Sequence, residues 1–111
     1  MQQSGQFIEV IANYRRHNWT LRRVLLRPET RLQLDDETLA LFEGTFVDIS
    51  EVDALWFSRP SHAGREAWEL RLVAETPYAL FETFEPEETE EEREELRREM
   101  EARLRDYSAR H

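Results

Sequence analysis

The chain contains no cysteine and no lysine, only three glycines, and no uninterrupted apolar run longer than four residues. Each absence excludes something. Without cysteine there is no disulfide framework, thiolate metal site, cysteine nucleophile or redox motif. Without a long apolar run there is no membrane-spanning helix and no signal-peptide core, so a cytoplasmic protein with no membrane partner is expected. Gly5, Gly44 and Gly64 stand too far apart to form a phosphate-cradling loop or a dinucleotide fingerprint. The missing lysine means that all 15 basic residues are arginine, a bias that a GC-rich coding sequence would produce together with the many Glu and Leu residues.

What is present is one domain's worth of material. Phe, Ile, Leu and Val together make 27 of 111 residues against a net charge of -9, which places the chain on the foldable side of the disorder boundary and leaves no room for a second core. The charge is unevenly spread. Residues 1–34 carry six Arg and two Glu, so the rest of the chain is strongly acidic, with eight Glu between Glu85 and Glu95.

Hydropathy patterning gives most of the elements. Phe7, Val10, Ile11 and Tyr14 recur at helical spacing, with Ser4 placed to cap the start and Asn18 to end the helix in a left-handed conformation, which predicts a helix over about 5–17. Trp19 to Arg27 fits a strand closed by Pro28. Leu34, Asp35 and Leu39 read as a hydrophobic staple around an N-cap, and Gly44 as a C-terminal stop, for a short helix near 36–43. Residues 45–49, rich in β formers, are a candidate for a further short strand. Ala54–Arg59, Trp68–Leu72 and Tyr78–Phe84 read as a meander of three further strands, with a turn-rich loop at Pro60–Gly64 and a tight turn at Thr76-Pro77. A Glu/Arg-rich helix is expected at about 87–109, with Pro86 in its first turn, Glu–Arg pairs at i,i+4 and a narrow stripe of Leu96, Met100, Leu104 and Tyr107. That stripe does not continue as a heptad, so the C-terminal half should dock on the sheet and the Glu-rich start should be solvated. The sum is a single α+β domain over 1–111, two-layered, with an antiparallel meander sheet of about four strands and the N-terminal and long C-terminal helices packed on one face.

No catalytic constellation is visible. His17, His62 and His111 do not share metal-ligand spacing with each other or with Asp/Glu clusters, and the five serines include no nucleophile elbow. The expectation is a protein that is not an enzyme and needs no cofactor or metal. Three surfaces could meet a partner. Trp56 and Trp68 on the sheet, with Arg59, His62 and Arg65 at the hairpin loop, are candidate contacts of a protein partner or of a second copy. Arg15, Arg16, Trp19, Arg22 and Arg23, within the Arg-rich segment 15–31, could track a phosphate backbone with Trp19 as a stacking platform. The Glu run 85–95 could imitate a nucleic acid. An overall acidic surface disfavours nucleic acid as a partner, so the first expectation is a small non-enzymatic interaction or regulatory module, with nucleic-acid binding or nucleic-acid mimicry as the alternative.

Overall fold

The computed structural model describes residues 3–111. In chain order the elements are α1 (Gln3–Arg16), β1 (Thr20–Leu26), α2 (Pro28–Gln33), α3 (Asp36–Ala40), β2 (Phe46–Ile49), β3 (Ala54–Pro60), a 3-10 turn (His62–Gly64), β4 (Glu66–Leu72), β5 (Tyr78–Phe84) and α4 (Glu90–Arg110). Among the described residues the fold is α+β, with the N-terminal and the long C-terminal helix both packed on the sheet. The sheet has five strands in the order β2-β1-β3-β4-β5. β1, β3, β4 and β5 pair antiparallel with one another in that order; β2 lies parallel to β1, so the sheet is mixed rather than a purely antiparallel set of four. The parallel pair arises because residues 28–40 form α2 and α3 between β1 and β2, a helical crossover instead of a tight turn.

The helices lie on opposite faces, which corrects the expectation of one covered face. Phe7, Ile11 and Tyr14 of α1 pack with Leu21, Val24, Leu26, Leu55 and Phe57. Met100 and Leu104 of α4 pack with Leu25, Ala54, Trp56, Trp68, Leu70 and Phe84. The alternation of β3 makes the reason plain: Leu55 and Phe57 point to one core, Ala54 and Trp56 to the other, and all are buried. A continuous apolar run of this kind is what a strand covered on both sides requires.

Asn18 ends α1 with φ of 70°, and the Trp19 N–H reaches back to the Tyr14 carbonyl at 3.1 Å while Tyr14 and Trp19 meet edge to face. This is a Schellman ending with its usual hydrophobic contact. Ser4 does not cap α1; it lies within the helix and its hydroxyl accepts from the Asp35 N–H at 3.2 Å. Pro28 opens α2 rather than merely closing β1, as its fixed φ and missing N–H allow. Asp53, buried just before β3, anchors that helix start by accepting from the Arg27 N–H at 2.9 Å and the Thr30 hydroxyl at 2.7 Å. Thr89 and Glu92 form a reciprocal capping box, so Pro86 lies ahead of α4 rather than in its first turn.

Candidate functional site, an arginine-lined cleft

The site begins with a bulge in β1. Leu21 pairs with Phe57 and Arg23 with the next residue of β3, Trp56, so Arg22 is an extra residue. The count has a packing cause: Leu21 and Val24 both belong to the α1-side core although their spacing would put them on opposite faces of a regular strand. Inserting one residue reconciles them. The Arg22 guanidinium lies 5.6 Å from the Trp68 ring, and Arg23 reaches Glu94 on α4, so both side chains serve the α4 face.

On that face α4 lies mainly against β4 and β5, and the first half of β1 and the start of β2 lie open beside its N-terminal turns. The result is a cleft of about 680 Å³ whose wall includes Arg22, Arg23, Phe46, Glu66, Trp68, Glu90, Arg93 and Arg97, two more arginines than carboxylates. Arg93 and Arg97 continue the stripe of Met100 and Leu104 one turn at a time toward the start of α4, so their guanidinium groups are laid against the sheet. Arg97 is only 2% exposed and stacks 4.0 Å from the Trp68 ring. Its Nη1 donates to Glu90 at 2.8 Å and to Glu94 at 2.9 Å, while its Nε is buried without a partner, as is the Nε of Arg93. Arg93 donates to Glu66 and to the Glu85 carbonyl. Glu94 is held below the usual carboxylate range by the Arg23 guanidinium first and by Arg97 as well, against the opposing effect of partial burial. Arg23 is raised in turn, chiefly by its bond to Glu94. Among the described residues, Arg22 has no ion pair and no side-chain hydrogen bond; it is the cleft's free cation.

The structure redistributes the residues singled out by sequence. Trp56 is fully buried and Trp68 is 5% exposed; they meet edge to face in the core, which removes them as contacts of the folded monomer. They were expected on an open sheet face, and α4 covers it. Trp68 still contributes the floor under the arginines. Arg59 stacks 4.5 Å over Trp19 and donates to the His17 carbonyl, Arg65 pairs with Glu85, and His62 is exposed in the 3-10 turn. The basic segment does not form one surface: Arg15 and Arg16 sit at the exposed end of α1 on one side of the sheet, whereas Arg22 and Arg23 serve the other. Trp19 is buried between Tyr14 and Phe81, which closes it as a stacking platform. At the Glu-rich start of α4, Glu91, Glu92 and Glu95 are exposed as expected, while Glu90 and Glu94 engage the arginines. Of the expected i,i+4 pairs none forms; Arg97 bridges to Glu90 and Glu94 instead.

Arg93 and Arg97 are the residues that sequence reasoning missed. The signal was their phase: an arginine at a position where an apolar stripe should continue places a guanidinium against the sheet. No family model, curated protein or solved structure matches the chain.

Proposed function

We propose that the chain is a small non-enzymatic interaction module that receives an anionic group of a protein partner in the arginine cleft. The observation that carries this reading is the excess of arginine over carboxylate along the cleft wall in a chain whose net charge is -9. A local positive concavity in an acidic molecule focuses field on one spot and selects a localised anion. The Glu residues at the start of α4, beside the cleft, repel an extended polyanion, which favours a protein-borne group over a nucleic-acid backbone. Among the described residues, no histidine and no serine lines the cleft, and no hydrogen bond joins the hydroxyl of Thr20 or Thr45 to Glu66 or Glu90, so no nucleophile and base stand in contact there.

The test is affinity capture by tagged protein from its source lysate at low and moderate salt, with and without nuclease, comparing the natural chain with R22E. Arg22 is chosen because no ion pair depends on it. A protein that survives nuclease, weakens with salt and is lost with R22E is the expected result. Equal capture by R22E, or loss of the captured material on nuclease treatment, overturns the reading.

A further inference from the structure

We propose that the group entering the cleft is the dianion of a phosphate monoester carried on an apolar or aromatic alcohol, an inference that rests on the cleft being the binding site. Charge is the first ground. Arg22, Arg23, Arg93 and Arg97 face Glu66 and Glu90 on the wall and Glu94 bonded to Arg23 and Arg97, so once the exposed Glu90 is displaced the arginines exceed the carboxylates by two, which a phosphate monoester at about -1.5 to -2 near neutral pH compensates and a single carboxylate does not.

Donor placement is the second. Arg22 comes from the β1 bulge, Arg97 from α4, and their guanidinium carbons lie 5.6 Å and 4.0 Å from the Trp68 ring. A planar carboxylate matches one guanidinium fork, whereas three terminal phosphate oxygens accept from groups arriving from two elements. Arg97 is 2% exposed and keeps a buried Nε–H without a hydrogen-bond partner.

The cleft already shows how its arginines treat oxyanions. Glu90 and Glu94 occupy Arg97, and Glu94 also occupies Arg23. Glu90 is 71% exposed on its side chain, so water screens its end of the Arg97 ion pair and leaves that carboxylate open to exchange. Glu90 thus acts as a resident competitor that a dianion displaces. The third ground is Phe46, 73% exposed, which lines the same cleft in register with Arg23. An aromatic ring at the rim of a basic floor gives the organic part of an ester a contact that inorganic phosphate cannot use.

The experiment is a proton–nitrogen correlation NMR titration of the full chain with phenyl phosphate, phenyl sulfate, benzoate and inorganic phosphate. Phenyl phosphate is expected to shift the amides of Arg22, Arg23, Phe46, Arg93 and Arg97. Its Kd should be about tenfold lower than that of phenyl sulfate, since the extra charge strengthens each charge-assisted bond. Affinity should fall as pH drops through about 6, where the phosphate takes up its second proton. E90Q should bind about threefold more tightly and R22A about tenfold more weakly, with thermal unfolding curves showing both variants folded.

A phosphotyrosine peptide separates the two sources of such an ester. Tighter binding than phenyl phosphate assigns the group to a modified protein side chain; no gain assigns it to a free small ester. Equal binding of phenyl sulfate or benzoate, or weaker binding by E90Q, overturns the phosphate assignment while an R22E-sensitive partner capture leaves the interaction reading standing. Absence of any cleft shift overturns the assignment as well. Partner capture indifferent to R22E removes the interaction reading independently of the titration.

Discussion

Arg23 of β1 and Glu94 of α4, 71 residues apart in the chain, meet in a two-point ion pair with Nη2–Oε1 at 2.7 Å and Nη1–Oε2 at 3.1 Å. α4 packs mainly on β4 and β5, and this pair joins it to β1 beside the cleft, alongside the Trp56 Nε1–H to Glu101 bond from β3 and the packing of Leu25 on the α4 core. The Arg23 and Glu94 side chains are largely shielded from water, so their bond is stronger than an exposed surface pair.

A double-mutant cycle of R23A and E94A should therefore give a coupling of about 1 kcal/mol by denaturant unfolding. The pair also sets a pH response. Glu94 ionises more readily in the folded chain than its ordinary value of 4.5, chiefly because Arg23 holds the charged form. Its contribution is complete above the unfolded value and is lost as pH falls through the lower folded one. Stability measured from about pH 5 downward should fall less steeply in E94Q than in the natural chain.

Tyr14 gives the opposite limb. Its hydroxyl donates to Glu69 while its ring stacks on Phe57 at 4.0 Å, and burial first, then the Glu69 bond, push its ionisation far above the ordinary value of 10.0. The unfolded chain releases this proton earlier, so the stabilisation is complete below pH 10 and lost as pH rises above it. Y14F should remove that part of the alkaline loss, read as a flatter stability curve above about pH 10.

Asp53 is the least replaceable acid. D53A leaves the Arg27 N–H and the Thr30 hydroxyl without their acceptor in a buried setting and should cost about 2–4 kcal/mol in chemical unfolding. D53N, which keeps one carbonyl oxygen, should cost less.

T89A removes the acceptor for the Glu92 N–H at the head of α4 and should lower stability by about 1 kcal/mol, whereas T89G should cost only a few tenths. Thermal melts followed by circular dichroism separate the two.

The helices and strands with strong periodicity were legible in the sequence: α1, its left-handed Asn18 ending, the three meander strands and α4 all lie within a few residues of where spacing puts them. What the sequence concealed is non-local. α2 carries no apolar stripe, only a proline at its head and a buried threonine, so nothing periodic announced it. The opposite-face placement of the helices was encoded in Ala54–Phe57, where both parities are apolar, but such a run reads equally as a short half-buried strand. The cleft was half visible. Arg22, Arg23 and Trp68 drew notice for reasons of type and patch, yet their meeting depends on the β1 bulge, and Arg93 and Arg97 were hidden by the Glu residues around them.

The central strand β3 is a party wall: the α1 core leans on Leu55 and Phe57, the α4 core on Ala54 and Trp56. Neither half can melt without exposing the other's lining, so loss of one helix is propagated through the strand rather than confined to one side. The molecule should therefore behave as one cooperative unit, and the amides of Leu55 to Phe57 should exchange with solvent only when the whole chain opens.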